Sequence, residues 1–229
     1  MQSGLRMDWR AECMAVIPCL DEEASVGPLV AAVRRYLPTV LVVDDGSRDN
    51  TGSIAERAGA EVLRHETAQG KGAALQAGWR RADEVGFKWA LTLDGDGQHS
   101  VEDIPAFFKC AERTSAVLVV GNRMGEAERM PPLRRFVNRW MSRRLSKAAG
   151  RLLPDSQCGF RLMNLSALAK LTISSRHFEI ESEVLMSFIA TGQSVEFVPI
   201  RVIYHDERTK IRPLRDTLRW FWWWSRRRI

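Results

Sequence analysis

The sequence predicts an α/β fold with a mostly parallel central sheet that is flanked by helices. Short apolar runs rich in β-branched residues end in polar residues, which is typical of buried parallel strands. Helix-length amphipathic patterns lie between these runs, and this alternation indicates right-handed crossovers. The 229 residues, 45% hydrophobic and 27% charged, are enough for one cooperative domain with a sizeable core.

The predicted elements follow one another along the chain. In the first half the strands are at 13–17, 40–45, 90–94 and 116–121, and the helices are at 25–36, 51–58, 71–82 and 101–113. The last of these helices begins behind an N-cap at Ser100, with Asp103 three residues on. The second half is less regular: a basic helix at 133–152, a glycine-containing loop at 155–161, a helix at 181–191 and a strand at 195–200.

The net charge of +6 is concentrated in two segments. Residues 129–151 contain eight Lys or Arg and no acid, and residues 205–229 contain eight with three acids. Eight like charges on a solvated helix face would repel one another, so we expect an anionic partner.

The chain ends in an amphipathic segment in which tryptophans adjoin three arginines, a composition that favours the headgroup region of an anionic membrane. A core-packed helix end or a homodimer contact would produce the same pattern. We therefore divide the chain into one domain at 1–212 and a basic, Trp-rich membrane-interface segment at 213–229.

Cysteine usage and hydropathy indicate where the protein works. Cys13, Cys19, Cys110 and Cys158 are scattered, without zinc-site spacing, and we interpret them as reduced. No run reaches the roughly 18 apolar residues of a membrane-spanning helix. The first residues lack the apolar region of a secretory signal. We expect a cytoplasmic protein that is peripheral at the inner face of the cell membrane.

The strongest local signal is Asp94-Gly95-Asp96-Gly97, where two carboxylates leave an apolar strand directly into a loop. A hard divalent cation prefers oxygen ligands of this kind, and the glycines permit a tight backbone. The same residues could instead form an Asx turn that caps the next helix. Their position at a strand end favours a site for Mg²⁺ or Mn²⁺.

Two further loops carry groups that suit a nucleotide. Asp44 and Asp45 could accept hydrogen bonds from a base edge or a ribose, although an ordinary turn explains them equally well. Gly70-Lys71-Gly72 opens a helix and offers backbone N–H groups and an ammonium to a phosphate, without the Walker A spacing. Because ligands bind at the carboxyl ends of parallel strands, we expect the loops at 18–23, 44–50 and 94–99 to share one crevice.

The ordered set of motifs over residues 13–212 resembles family 2 glycosyltransferases, in particular the dolichol-phosphate and polyprenyl-phosphate mannosyl- or glucosyltransferases. The matching stretches are VIPCLDEE, VVDDGSRDNT, GKGAALQAG, LTLDGDGQH, VVGNR, DSQCGFRLM, FEIESEVL and VPIRVIYHDERTK. The resemblance implies a GT-A fold. It also implies inverting transfer from a nucleotide-sugar donor (GDP-mannose or a UDP-sugar) to a polyprenyl-phosphate or other lipid acceptor.

The resemblance implies a role for each matching position. Asp94, Gly95, Asp96 and Gln98 surround the metal and the donor diphosphate, Arg123 meets phosphate near the reaction centre, and Lys210 closes over the donor. The residues that hold the nucleoside are Pro18, Leu20, Glu22, Val43 and Asp45. The residues that fall on the lipid-phosphate helix are Arg135, Asn138 and Arg139. The chain departs from the family at Leu20, which replaces an aromatic residue, and at HDERTK, which lacks the usual glycine.

The acceptor decides whether a general base is required. A lipid phosphate is already ionised near neutral pH, and direct displacement then inverts the anomeric centre. A hydroxyl acceptor would require a carboxylate to take its proton, for which Glu181 and Glu183 are candidates. Their other role would be to orient the 155–161 loop through Arg161. We expect Gln157 and Arg161 to line the site between donor and acceptor.

Three other functions share some of these features. A sugar nucleotidyltransferase would need a glycine-rich basic loop after the first strand, where this chain has PCLDEE. A basic adaptor would leave the strand-end carboxylates unexplained, and these acids would repel nucleic-acid phosphates, so we expect no nucleic acid partner. A membrane-binding relative without activity is also compatible, and a homo-oligomer remains open.

Overall fold

The computed structural model describes residues 7–203 and 213–226. Within these ranges the chain forms a seven-stranded sheet flanked by helices. The strands are β1 Cys13–Cys19, β2 Val40–Asp44, β3 Glu61–Arg64, β4 Trp89–Thr92, β5 Leu118–Asn122, β6 Arg161–Asn164 and β7 Val195–Pro199. The helices are α1 Trp9–Glu12, α2 Val26–Val33, α3 Thr51–Arg57, α4 Lys71–Glu84, α5 Ile104–Thr114, α6 Pro132–Ala149, α7 Leu165–Leu168, α8 Ile180–Ala190 and α9 Pro213–Arg226.

The sheet has the strand order β3-β2-β1-β4-β6-β5-β7 and is parallel except at one strand. Strand β6 runs antiparallel to both of its neighbours, β4 and β5. All five residues of β2 are buried, as expected for a central parallel strand that is covered on both faces. The prediction of a mostly parallel sheet flanked by helices is confirmed.

Sequence patterns did not predict two of the strands. β3 is a partly exposed edge strand whose sequence, Glu-Val-Leu-Arg, places charged residues at both ends. β6 begins at Arg161, where the sequence predicts the end of a loop, and contains four residues. Short runs of this kind are too brief for an apolar pattern to distinguish them from loops.

The antiparallel direction of β6 determines where the preceding loop lies. Arg161, the first residue of β6, pairs with Thr92, the last residue of β4. The 155–160 loop therefore arrives at the edge of the sheet where β1, β2 and β4 end. The 155–160 loop thus joins, at this edge, the three loops that the parallel pattern predicts there.

The helix predicted at 101–113 begins differently from the prediction. Residues 101–103 form one turn of 3-10 helix, and α5 follows it. Ser100 precedes this turn, but its hydroxyl makes no capping hydrogen bond. Instead, the backbone N–H of Asp103 donates to the carbonyl of Ser100.

Helix α9 packs one face against the domain that it follows. Trp220 is 2% exposed, and its indole N–H donates to Ser182 Oγ of α8 at 2.8 Å. Its ring lies 5.5 Å from the Trp140 ring of α6 and stacks on Trp224. For this face of α9, core packing is the observed arrangement. The domain boundary at 212/213 stays a prediction.

All four cysteines are buried, and none of them forms a disulfide. Across residues 7–203 and 213–226, no helix combines the length and the apolarity that crossing a bilayer requires.

Trp220→Ala should lower the free energy of unfolding by about 3–5 kcal/mol, because it leaves a cavity between α6, α8 and α9. Urea denaturation measures this loss. The matched control is Trp222→Ala on the same helix, where the side chain is 59% exposed and the expected change is within about 0.5 kcal/mol. Equal losses in both variants would contradict the packing of α9 through Trp220.

Candidate active site

The acidic loop after β4 lies against the end of β1. A Cβ atom on Gly95 would come within 2.6 Å of Cys19 Sγ, so only glycine permits this approach. Asp96 Oδ1 accepts the backbone N–H of Gln98 at 3.0 Å. The backbone N–H of Ile203 donates to the carbonyl of Gln98 at 2.9 Å, which holds Ile203 beside this loop.

A buried lysine joins two carboxylates that come from different elements. Lys71 Nζ, at the start of α4, lies 2.6 Å from Asp94 Oδ1 and 2.5 Å from Glu181 Oε1 of α8. Gly159 makes this cluster possible, since a Cβ there would lie 2.5 Å from Asp94 Oδ1 and 2.9 Å from Lys71 Nζ. The Lys71 ammonium, which the sequence predicts to contact a phosphate, is therefore paired with Asp94 and Glu181 in the structure.

Electrostatics in this cluster oppose the effect of burial. Burial alone would raise the pKa of Asp94 and lower the pKa of Lys71. Burial is the largest single effect on each pKa, but the attractions to nearby opposite charges together exceed it. The pKa of Asp94 therefore lies well below its ordinary value, chiefly because of Lys71, and that of Lys71 lies above, because of Asp94 and Glu181. Burial also lowers the pKa of His99, which lies 3.9 Å from Asp94. Asp94 is consequently ionised at neutral pH.

A second buried ion pair joins β5, the 155–160 loop and α6. Arg123 Nε and Nη2 donate to the two carboxylate oxygens of Asp155 at 2.7 and 2.9 Å. Asn138 Nδ2 of α6 donates to Asp155 Oδ1 at 3.2 Å. Although burial works against the charged guanidinium, the carboxylate of Asp155 raises the pKa of Arg123. This bidentate geometry fixes the direction of the guanidinium beside the acidic loop.

Arg161 and Gln157 hold the 155–160 loop from inside. The Arg161 guanidinium donates to three backbone carbonyls, those of Cys158, Ser156 and Glu181, at 2.8, 3.0 and 2.7 Å. Burial lowers the pKa of Arg161. Gln157 Nε2 donates to the hydroxyls of Ser156 and Ser182, both at 2.8 Å. Arg161 therefore orients the loop through the backbone of Glu181 and not through its carboxylate.

Glu183 does not join this cluster. Its carboxylate accepts the backbone N–H and hydroxyl of Ser174 and the backbone N–H of Ser175, at 3.1, 3.0 and 2.7 Å. The side chain is buried on α8. This geometry favours a structural role for Glu183 in fixing the 174–175 segment.

The residues expected to hold the nucleoside differ in their accessibility. Leu20 is exposed and Pro18 is partly buried, whereas the Val43 side chain is fully buried in the sheet. Glu22 accepts a hydrogen bond from Ser25. The Asp45 carboxylate contacts His65 Nδ1 at 2.7 Å and accepts the backbone N–H groups of residues 69 and 70. Asp45 thus anchors the loop that begins α4.

Helix α6 presents one face to the acidic loop. Arg134 Nη1 donates to Gln98 Oε1 at 3.4 Å, and Asn138, one turn later, contacts Asp155. Arg135 donates to the carbonyl of Ala127, and Arg139 is exposed. Lys210 lies outside the described residues.

The donor set at the acidic loop suits an open metal site. In residues 7–203 and 213–226, no three His, Cys, Asp or Glu side chains are grouped closely enough to hold a metal ion by themselves. Mg²⁺ is commonly bound by one or two carboxylates together with waters and substrate phosphates. Asp94 and Asp96 supply two carboxylates and Gln98 an amide oxygen, so these residues fit an ion whose remaining ligands are waters or a substrate phosphate.

Several groups of the site were not singled out from the sequence. Asp155 lies in the DSQCGFR motif without any separate signal for its role, and Arg134 is one of several arginines in its segment. The sequence also does not indicate that Lys71 pairs with Asp94 and Glu181. The motif itself was a signal for Asp155, whereas nothing in the sequence indicates which arginine of α6 faces inward.

The family model described as "Glycosyl transferase family 2" matches residues 14–172. The UDP-N-acetylglucosamine–dolichyl-phosphate N-acetylglucosaminyltransferase of Methanococcus voltae is 29% identical over 214 residues, covering 83% of this chain and 85% of that protein. The undecaprenyl-phosphate mannosyltransferase of Micrococcus luteus is 35% identical over 161 residues, covering 67% of this chain and 63% of that protein.

Solved structures resemble the whole fold. Glucosyl-3-phosphoglycerate synthase from Mycobacterium tuberculosis, in complex with Mn²⁺, UDP and phosphoglyceric acid, superimposes with a TM-score of 0.72 at 21% identity. The match covers 91% of this chain and 74% of the synthase. The predicted GT-A fold and the resemblance to lipid-phosphate sugar transferases are both confirmed. With the family model spanning most of its length, this chain belongs to glycosyltransferase family 2 and is a glycosyltransferase.

Proposed function

We propose that the protein transfers a sugar from a nucleoside diphosphate sugar to a polyprenyl-phosphate-type lipid, with inversion at the anomeric carbon and with help from a divalent metal. One observation carries the proposal. The acidic loop with Asp94 and Asp96 meets the oriented cation Arg123 and the basic helix α6 at one edge of the sheet. Such an arrangement provides opposite charges for a metal-bound diphosphate and for an anionic acceptor.

The pairing of the carboxylates near the site supports a phosphate acceptor. Asp94 and Glu181 share Lys71, Asp155 is paired with Arg123, and Glu183 accepts three hydrogen bonds from residues 174–175. A general base for a hydroxyl acceptor has to be free to take a proton. Since each of these carboxylates is held by a partner, an acceptor that is already ionised requires the least rearrangement.

Each part of the site then has a chemical role. Asp94, Asp96 and Gln98 would hold Mg²⁺ or Mn²⁺, which neutralises charge on the departing nucleoside diphosphate when it is bound. Arg123 orients phosphate beside the reaction centre, and Lys210 would close over the donor. Gln157 and the loop that Arg161 fixes would line the site between donor and acceptor.

The location follows from the acceptor. A polyprenyl-phosphate remains in its membrane, so the protein has to work at a membrane surface, which we propose is the inner face of the cell membrane. Two relatives are named for action on dolichyl-phosphate and undecaprenyl-phosphate, which supports this assignment. The basic segment at 213–229 is the proposed contact with anionic lipid.

A thermal-shift panel tests the donor site. GDP-mannose, UDP-glucose, UDP-N-acetylglucosamine and ATP are each added with and without Mn²⁺. One sugar nucleotide should raise the melting temperature only when the metal is present, because binding to the native state stabilises it by about 2.7 kcal/mol at a hundredfold excess over Kd. Stabilisation by ATP alone, or by none of the four, would contradict the proposal.

Asp96→Ala should remove the metal-dependent shift and reduce sugar transfer roughly a hundredfold or more, because a charge that holds the metal and diphosphate is lost. Sugar transfer is measured with radiolabelled donor and a polyprenyl phosphate. Asp83→Ala, an exposed position at the far end of α4, is the matched control and should behave like the unmodified protein. Normal turnover by the Asp96 variant at the same metal concentration would exclude Asp96 as a ligand.

Glu183→Gln tests one of the two candidate general bases for a hydroxyl acceptor. We expect turnover within about threefold of the unmodified protein and a loss of about 1–3 kcal/mol in the free energy of unfolding, because the amide satisfies the 174–175 segment less well. Initial rates and urea denaturation measure the two effects. If turnover instead fell by about 10²–10⁴ with an unchanged unfolding curve, Glu183 would be a general base and the acceptor a hydroxyl.

A further inference from the structure

An exposed apolar surface spans two neighbouring helices. Nine large hydrophobic side chains are exposed in the described ranges, and five of them lie on α6 and α9. They are Leu133 and Phe136 of α6, and Leu218, Phe221 and Trp222 of α9. We call these five residues the two-helix apolar face. Leu133 and Phe136 are 62% and 68% exposed, which is unusual for large side chains placed so close together.

The five side chains form a continuous stripe. Leu133, Phe136 and Trp140 are spaced by three and four residues and share one side of α6. The Trp140 ring lies 5.0 Å from the ring of Phe221, which joins α6 to α9. Leu218 and Trp222 continue along the side of α9 opposite to Trp220, which is buried in the core.

Positive charge surrounds this stripe. Helix α6 contains six Arg or Lys residues and no acid. The Arg144 guanidinium lies 4.9 Å from the centroid of the Trp140 ring, and that of Arg226 lies 3.4 Å from the centroid of Trp222. Aromatic rings combined with arginines suit the headgroup region of a bilayer, where rings enter the interface and guanidinium groups meet lipid phosphates.

We propose that the two-helix apolar face binds the surface of an anionic bilayer, with Leu133 and Phe136 of α6 entering the lipid beside α9. The membrane contact is then built by two helices and not by the C-terminal segment alone. A second copy of the chain fits poorly, because a twofold interface would bring the four exposed cations of α6 close to the same four on the partner. They are Arg139, Arg143, Arg144 and Lys147. A nucleic acid backbone offers no apolar medium for Leu133 and Phe136.

This orientation places the candidate site at the lipid surface. The face of α6 opposite to Phe136 carries Asn138, which contacts Asp155, and Arg134, which contacts Gln98. One helix therefore has lipid on its outer side and the site on its inner side. A phosphate at the level of the lipid headgroups would need only to pass the first turn of α6. The choice of a bilayer as partner rests on the proposed function, whereas vesicle binding is measured without catalysis.

Sedimentation with lipid vesicles tests the face. The full chain is mixed with phosphatidylcholine vesicles that contain phosphatidylglycerol, and with vesicles of phosphatidylcholine alone. The double variant Leu133→Gln, Phe136→Gln should partition onto the anionic vesicles about tenfold or more weakly than the unmodified protein. The matched control is Val85→Gln, an exposed apolar position at the end of α4, which should bind normally.

Three results would overturn the inference. They are equal vesicle binding by the double variant and the unmodified protein, binding of the unmodified protein that does not depend on anionic lipid, and a dimer in sedimentation equilibrium that the double substitution dissociates. The donor thermal shift, measured on every variant, shows that the site is intact. If the unmodified protein bound vesicles and yet transferred no sugar to a polyprenyl phosphate, that result would contradict the proposed function. A loss of vesicle binding in the double variant would still support the two-helix apolar face.

Discussion

The ion cluster of Lys71, Asp94 and Glu181 is the interaction on which the rest of the site depends. Two carboxylates and an ammonium are brought together where α4, the loop after β4 and α8 meet. Charges that are largely removed from water are tolerated only when they are paired with good geometry. The pairing therefore fixes three separate elements relative to one another, and Gly159 leaves the space that their approach requires.

A second constraint comes from the direction of β6. If this strand were parallel to its neighbours, the 155–160 loop would lie at the opposite edge, far from the acidic loop. Because β6 is antiparallel, Asp155 reaches Arg123 and Asn138, and the loop lies against the ends of β4 and β5. One reversed strand in a parallel sheet thus converts an open crevice into a site with an acidic and a basic side.

Helix α6 connects this site to the surface. Its inner side carries Asn138 and Arg134, while its outer side carries Leu133 and Phe136. Helix α9 extends the outer stripe and is itself held by Trp220, whose indole shares the Ser182 hydroxyl with Gln157. The C-terminal helix therefore contacts a residue of the candidate site through a single hydroxyl, so its packing and the position of the 155–160 loop are physically linked.

The sequence by itself determined the fold class and predicted the location of the candidate site, because apolar runs, helix periods and polar strand ends are local signals. It also predicted the acidic loop and the family, whose motifs are short and contiguous. β3 and β6 were not predictable, since four-residue strands carry too little pattern. Nor were the partners of Lys71, Glu183 and Asp155, or the arginine of α6 that faces inward. These were decided only by the tertiary structure, because an ion pair between residues far apart in sequence exists only once the sheet has set which loops share an edge.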